Sequence, residues 1–206
     1  MKRRPILLNR FNNVTAKGVI IGVIGVSRSV GVTHTAIMIG NYLAKRGKKV
    51  ALIELNHNYD FGKIEKAYEG PNFNSDVTTD FKINKCIYYK NNSSLSLIDI
   101  LAKPFDYYVL DIGFYQSTYF EEFLRADIKI VMGLVSEWKK DEIFNFYEIN
   151  NKFTSANQWL YGFPFATKND IGDIKKYITN QLISIPFNPD PYIVKGDMQK
   201  ILQKIV

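Results

Sequence analysis

Two short apolar runs with a helical segment between them occupy the first quarter of the chain. Residues 18–25 read GVIIGVIG and residues 49–55 read KVALIEL, and both are rich in β-branched side chains, which is typical of strands buried on both faces. Residues 33–46 carry apolar side chains at helical spacing, and Gly47 follows as a helix-ending glycine. A strand, a loop, a helix and a second strand in this order predict a parallel α/β sheet.

Segments of the same two kinds continue to the end of the chain. Further strands are predicted at residues 85–90, 106–112, 128–135, 158–163 and 182–186, with 85–90 at a sheet edge, and further helices at residues 61–68, 95–102, 118–125, 137–152, 171–181 and 195–206. We therefore expect one α/β domain over residues 18–206, with a mostly parallel, twisted sheet of about seven strands and helices on both faces. In the helix at 137–152 the spacing places Trp138, Ile143, Phe144 and Tyr147 on the buried side.

The net charge of +7 is concentrated near the start of the sequence. Residues 1–17 hold five basic and no acidic side chains, while the other 189 residues hold 22 basic and 20 acidic ones. This distribution indicates a basic arm rather than a basic face, so a general nucleic-acid groove is not expected. We expect the arm to be a solvated tail, with weak contact to DNA or an anionic membrane as the alternative.

Composition and run lengths exclude several classes of protein. Cys86 is the single cysteine, so no intramolecular disulfide can form, and with two histidines a dedicated zinc site is not expected. The longest apolar run, residues 19–26, is far shorter than the roughly 20 residues that span a membrane. The apolar patch at residues 5–8 is too short for a secretory signal, so we expect a cytoplasmic protein without a transmembrane segment.

The loop after the first strand has the setting of a phosphate-binding loop. Backbone N–H groups in such a loop, and at the start of the helix that follows, supply partial positive charge. The usual pattern, G-x-x-x-x-G-K-[ST], adds a lysine that neutralises phosphate and a hydroxyl that binds Mg²⁺. Residues 26–33 (VSRSVGVT) keep only Gly31 and Thr33, with Val26 at the first glycine and Val32 at the lysine. The loop by itself favours an empty site, with Thr33 as the N-cap of the helix.

The segments around this loop resemble the ParA/MinD family of P-loop ATPases. The segment IGVIGVSRSVGVTHTAIMIGNYLAKRGKKVALIEL resembles the opening of the family, and FDYYVLDIG resembles its Walker B strand. The segment ADIKIVMGLVSEW resembles the next strand and its loop, and ISIPFNPDPYIV resembles the late segment that lies near the nucleotide base. The resemblance runs from residue 18 over nearly the whole chain. It implies a P-loop NTPase fold whose ligands would be ATP or ADP with Mg²⁺, with no cofactor as the alternative.

Carried onto this chain, the resemblance assigns a nucleotide-contacting segment and two residues on the metal side. The nucleotide-contacting residues are Ser27, Arg28, Ser29, Val30, Gly31, Val32, Thr33 and His34. The metal-side residues are Thr33 and Asp111. His34 and His57 are otherwise expected to be plain polar residues.

The positions that carry catalysis in the family are the ones that differ here. The loop lysine aligns with Val32, and the signature lysine, which reaches the other subunit's nucleotide across a dimer, aligns with Ser27. The acidic pair D-x-D at the end of the second strand aligns with Glu54 and Asn56. Loss of one preorganised charged donor costs about 3–4 kcal/mol, or roughly a hundred- to thousandfold in rate. We therefore expect little or no ATP hydrolysis and no nucleotide-dependent dimer.

Three functions follow from these observations. The first is a degenerate family member that localises or scaffolds a larger assembly through a protein partner, similar to branches that position pilus or secretion machinery. The second is a slow ATPase in which Arg28 replaces the lysines, and the third is a DNA-associated partition factor that uses the arm at residues 1–17. The helix at 195–206 is expected to pack on the sheet, with peripheral membrane binding as the alternative.

Overall fold

The computed structural model describes residues 18–92 and 95–206, so the basic arm lies outside the described residues. The strands are β1 (Val19–Gly25), β2 (Val50–Glu54), β3 (Asp80–Ile83), β4 (Cys86–Tyr89), β5 (Tyr107–Phe114), β6 (Ile128–Met132), β7 (Leu160–Pro164) and β8 (Gln181–Ile185). The α-helices are α1 (Val32–Lys45), α2 (Asp60–Glu69), α3 (Leu97–Leu101), α4 (Phe120–Arg125), α5 (Lys140–Asn150), α6 (Lys168–Ile174) and α7 (Gly196–Ile205). Single 3₁₀ turns occur at Ser75–Val77 and Ala156–Gln158.

All eight strands form one sheet in the order β3-β4-β2-β5-β1-β6-β7-β8. The pair β3–β4 is antiparallel and every other neighbouring pair is parallel, which confirms the predicted mostly parallel α/β sheet. The sheet has eight strands where about seven were predicted; the strand that the sequence did not indicate is β3, which is only four residues long and includes two charged side chains. The prediction that residues 85–90 form an edge strand was also wrong, since β3 covers β4 on its outer side.

Helices cover both faces of the sheet, as predicted. One apolar cluster packs α1, α2 and α7 against the sheet, and the other packs α3, α4, α5 and α6 against the opposite face. In α7 the side chains of Met198 and Leu202 are buried in the first cluster. The last helix therefore packs on the sheet, as predicted. No helix in residues 18–92 and 95–206 is long and apolar enough to cross a bilayer.

Local capping explains where several helices begin and end. Gly47 takes the left-handed conformation with φ +83° and donates its N–H to the Ala44 carbonyl at 3.0 Å, which confirms the predicted end of α1. The predicted helix at 171–181 is instead α6, because Thr167 and Asp170 form a capping box that starts it earlier. Trp138 was wrongly placed in the core: it lies before α5 and is 79% exposed.

The strand order reverses at β1, and this sets the place of the ligand crevice. From β1 the chain crosses to β2 on one side, while β6, β7 and β8 extend the sheet on the other. Loops that leave the carboxyl ends of strands on either side of such a switch point diverge and leave a crevice between them. The loop at residues 26–31 leaves β1 at this point.

Candidate functional site

A cleft of about 810 Å³ opens at the carboxyl edge of the sheet. Its walls come from residues within 27–34 after β1, within 56–63 after β2, and within 112–118 at the end of β5. A cleft of this volume is in the range of about 300–1,000 Å³ that small-molecule sites occupy. The ends of three parallel strands therefore build one concave site around the loop that the sequence singled out.

The backbone of the loop is arranged to bind an anion. Ser29 and Gly31 adopt left-handed conformations, with φ of 60° and 90°, so the chain turns tightly into α1. Across the described ranges, none of the N–H groups of residues 27–34 donates to a protein acceptor. Consecutive free N–H groups in a turn, followed by a helix N-terminus, form a concave site of partial positive charge. The loop keeps this geometry although Ser29 stands at a glycine of the K-G-G-x-G-K-[ST] pattern.

Two valines pack the loop onto the sheet where the family pattern would place charge. Val30 is 1% exposed and Val32 is 7% exposed, and both belong to the core cluster of α1. A Cβ atom added to Gly25 would lie 2.6 Å from a Val30 methyl and 3.1 Å from a Val32 methyl. Val32, at the lysine position, therefore brings apolar contact with β1 and no charge. The Val30 side chain faces the core, so only its backbone N–H remains available to a ligand.

Cations reach the cleft from two sides. Arg28 is exposed on the loop and forms no ion pair with any residue of the described chain. Lys63, on α2 at the opposite wall, donates to Asp60 Oδ1 at 2.8 Å and to the Asn58 carbonyl at 2.9 Å. Arg28 is thus free to contact phosphate, whereas Lys63 is already partnered. The sequence gives no local signal for Lys63, because its place at the cleft depends on how α2 follows β2.

A buried carboxylate lies beneath the cleft. Asp111 is 0% exposed, and neither of its carboxylate oxygens has a hydrogen-bond partner. Burial raises the pKa of Asp111 to about 7, helped by the negative charges of Glu54 and Asp60. The side chains of Thr33 and Asn56 face the carboxylate and oppose this rise, although neither reaches good hydrogen-bond geometry. An orphaned carboxylate beside a hydroxyl is a donor set that fits Mg²⁺, which Thr33 and Asp111 would hold.

Glu54 and Asn56, at the positions of the family's acidic pair, both form hydrogen bonds to the backbone of neighbouring segments. Glu54 accepts from the N–H groups of Asp60 at 2.6 Å and Phe61 at 3.3 Å, so it fixes the first turn of α2. Burial raises the pKa of Glu54, and these N–H groups oppose the rise. Asn56 donates to the Asp111 carbonyl at 3.1 Å and accepts from the Asn58 N–H at 2.9 Å. Neither side chain offers a free carboxylate to the cleft.

Solved structures of known proteins share this architecture. A putative plasmid partition protein from Borrelia burgdorferi B31, bound to AMPPNP, is 20% identical, with 92% of this chain and 96% of that chain covered and a TM-score of 0.59. A ParA family ATPase from Chlorobium tepidum TLS is 12% identical, with coverages of 84% and 86% and a TM-score of 0.59. The MinD cell division protein of Aquifex aeolicus is 16% identical, with coverages of 84% and 83% and a TM-score of 0.59. This chain has the fold of the ParA/MinD ATPases. No protein-family model and no curated protein matches the sequence.

Within the ParA/MinD fold, most of the residues predicted to contact nucleotide lie around the cleft. The lining includes the predicted residues Ser27, Arg28, Ser29, Gly31, Val32, Thr33 and His34. Their contact with a nucleotide stays a prediction. Thr33 was wrongly predicted as the N-cap, because Gly31 occupies that position and α1 begins at Val32. His34 Nε2 lies 2.8 Å from the Asn188 carbonyl and His57 Nδ1 lies 3.2 Å from Asn91 Nδ2, so each ring has a polar partner.

The far wall of the cleft was missed in the sequence analysis. Gln116, Ser117 and Thr118 line it just beyond β5, and Gly113, near the end of that strand, has a positive φ of 75°. The polar residues 116–118 directly follow a buried strand, and this pattern could have indicated a wall of the site. Because carboxyl ends of parallel strands meet at one edge of a sheet, this run belonged beside the loop at 26–33.

The buried Asp111 makes stability depend on pH. Its carboxyl ionises near 3.8 when unfolded and near 7 when folded, so between these values the folded state holds an extra proton. Stability therefore falls as pH rises through this window, and the full penalty applies above it. Without divalent metal, Asp111→Asn should be more stable than wild type by about 4 kcal/mol near pH 8 and nearly equal near pH 4. Urea unfolding at both pH values measures this, and a pH-independent difference would contradict it.

Proposed function

We propose that this protein is a degenerate ParA/MinD-like P-loop protein that binds ATP or ADP with little or no hydrolysis and localises or scaffolds a larger assembly. The observation that carries the proposal is the loop at residues 26–33. It offers a row of free N–H groups to an anion, but its lysine position is a buried valine, Val32. Backbone donors support binding, and the missing charge argues against turnover.

Binding and hydrolysis make different demands on this site. Backbone N–H groups at a helix N-terminus hold phosphate without any side chain. Phosphoryl transfer depends on charge stabilisation and positioning of the transferred group. Mg²⁺, when bound, neutralises phosphate charge, and Thr33 and Asp111 are the residues that fit it. With Val32 and Ser27 at the two lysine positions of the family pattern, and Asn56 at one of its two acidic positions, the positive charge that the loop offers to phosphate comes from Arg28 and the backbone N–H groups.

The localisation or scaffolding part of the proposal draws on what the fold does in its structural relatives. One solved structure with this fold is a MinC:MinD cell division protein complex, 16% identical to this chain with a TM-score of 0.60. In that structure the protein with this fold is in complex with a second protein, MinC. We place this protein in the cytoplasm, bound to a protein partner. Affinity capture of the full chain, repeated with Gly31→Val, tests whether a recovered partner depends on an intact loop.

A slow ATPase is the second candidate, and one observation favours it. Arg28 is exposed beside the free N–H groups and has no carboxylate partner in residues 18–92 or 95–206. A guanidinium can hold phosphate through two parallel N–H donors where lysine offers a point charge. In this case, phosphate release would be measurable and would be lost in Arg28→Ala.

A DNA-associated partition factor is the third candidate. The basic arm, residues 1–17, would supply a salt-sensitive contact to phosphate, and three solved structures with this fold are of a plasmid partition protein from Borrelia burgdorferi. The same arm is the part of the chain that would contact an anionic membrane, because α7 packs on the sheet. Binding to duplex DNA and to anionic vesicles is measured with and without residues 1–17. The result shows whether the arm binds DNA, binds the membrane or binds neither of them.

Nucleotide binding should depend on Gly31. Valine strongly disfavours φ of 90°, so Gly31→Val should open the turn and scatter the N–H groups, weakening ADP and ATP binding at least about tenfold. Isothermal calorimetry of both nucleotides with Mg²⁺ measures the change. Gly47→Val is the matched control, because Gly47 also has a positive φ, of 83°, but lies at the other end of α1. Equal binding by the two variants would place the nucleotide elsewhere.

A further inference from the structure

Strand β8 is an edge of the sheet with free backbone groups. It is the last strand in the sheet order, so it has one neighbour, β7, within the described part of the chain. The Phe165 N–H donates to the Ile185 carbonyl at 3.0 Å, so the backbone groups of Ile185 face the β7 side. Because these groups alternate in direction along a strand, Leu182 and Ser184 point theirs outward. Each offers one N–H and one C=O to a further strand.

This edge lacks the protection that the opposite edge has. Strand β3, at the other end of the sheet, carries Asp80 and Lys82, and charged side chains on an edge strand discourage pairing with another chain. Residues 177–188, which include β8, contain no charged side chain at all. Two copies of this segment can therefore approach each other without like-charge repulsion.

We propose that β8 pairs with β8 of a second copy of this chain, antiparallel about a twofold axis. In the register centred on Ile183, Leu182 of one copy lies opposite Ser184 of the other, and the reverse pair completes the symmetry. Both residues of each pair present outward backbone groups, so the two pairs form four N–H···O bonds. Pro186 has no N–H and lies at the next outward position, which limits the ladder to this length.

The side chains along this edge support the same pairing. The two Ile183 side chains meet in a non-hydrogen-bonded pair, where side chains on facing strands lie close together. Tyr177, 66% exposed, precedes β8, while Phe165 and Phe187, 66% and 72% exposed, lie at its other end with their rings 5.8 Å apart. Antiparallel pairing brings the tyrosine end of one copy beside the phenylalanine end of the other. Exposed aromatic side chains of this kind are typical of protein interfaces.

Sedimentation of the full chain over a concentration series, without nucleotide, tests the pairing. Ser184→Pro removes the outward N–H and leaves the bonds to β7 in place, whereas Ser184→Ala keeps that N–H. Both variants lose the hydroxyl bond to the Ala166 carbonyl, 2.6 Å long, so they form a matched pair. We expect wild type and Ser184→Ala to dimerise alike, and Ser184→Pro to dimerise at least about tenfold more weakly, since two symmetry-related bonds are lost.

Hydrogen exchange gives a second readout that needs no variant. The Leu182 and Ser184 amides should exchange freely in the monomer and become protected as protein concentration rises, while the outward groups of β3 stay unchanged. A wild-type chain that remains monomeric at millimolar concentration would overturn the proposal, as would a dimer in which these two amides stay unprotected. A dimer that forms only with Mg-ATP and is lost in Arg28→Ala would place the interface at the cleft and also overturn it.

Discussion

Purified protein supplied with saturating Mg-ATP should release phosphate far more slowly than about one turnover per second, the lower end of the ordinary enzyme range. The reason lies in the charges around the loop at residues 26–33. Val32 is buried against β1, Ser27 replaces the signature lysine, and Asn56 is engaged with the Asp111 carbonyl. Each missing charged donor is worth roughly a hundred- to thousandfold in rate, so two absent lysines should remove almost all turnover. Steady-state phosphate release measures the result.

Restoring one lysine should not restore turnover. The Val32 side chain is 7% exposed and packs beside Gly25 and Val30. A lysine side chain at this position would therefore have to displace the loop for its ammonium group to reach phosphate. Ser27 and Asn56 would still lack their charges. Nucleotide binding measured on the same preparation is the control that separates an empty site from an occupied, inactive one.

Measurable turnover would change the ranking of the proposed functions. A rate near one per second that disappears in Arg28→Ala would make Arg28 the substitute for the lysines and the slow ATPase the leading function. Lys63→Ala is the comparison variant, because Lys63 lines the same cleft but is held by Asp60 at 2.8 Å. Equal losses in both variants would point to a general need for positive charge rather than to the loop arginine.

The regular parts of the fold could be predicted from the sequence because their patterns are local. The buried strands β1, β2 and β5 are short runs rich in apolar and β-branched side chains, and α1 shows helical spacing with a glycine stop. Strand β3 gave no such pattern, since it is an edge strand of four residues with charges at Asp80 and Lys82. The helical spacing wrongly placed Trp138 on the buried side of α5, because the helix starts two residues later, at Lys140.

The candidate site could be predicted only in part, for a different reason. The loop at residues 26–33 is contiguous, so its N–H groups and its missing lysine were visible in the sequence. The roles of Glu54, which fixes the start of α2, and of Lys63, which faces the loop from that helix, depend on contacts between distant segments. Such contacts follow from the order of the strands and not from any local spacing.

Replacing Lys90 alone should destabilise the protein by about 3–5 kcal/mol, because it would leave a buried carboxylate without its counter-charge. Lys90 Nζ lies 2.7 Å from Glu65 Oε2, and the two side chains are 2% and 4% exposed. The Thr78 hydroxyl donates to both Glu65 oxygens at 2.8 and 2.9 Å, and Lys90 also donates to the Ser75 carbonyl. The pair thus joins the residue just after β4 to α2 and to the segment between them. Urea unfolding of Lys90→Met measures the loss.

A double variant separates the cost of an unpaired charge from the worth of the pair. Lys90→Met combined with Glu65→Leu removes both charges and should recover most of the lost stability, since buried ion pairs are often replaceable by apolar residues of similar size. Lys176→Met, which breaks an exposed pair with Asp173, should leave stability nearly unchanged. If Lys90→Met behaved like Lys176→Met, Glu65 would not be an uncompensated buried charge in the variant, and the prediction would be wrong.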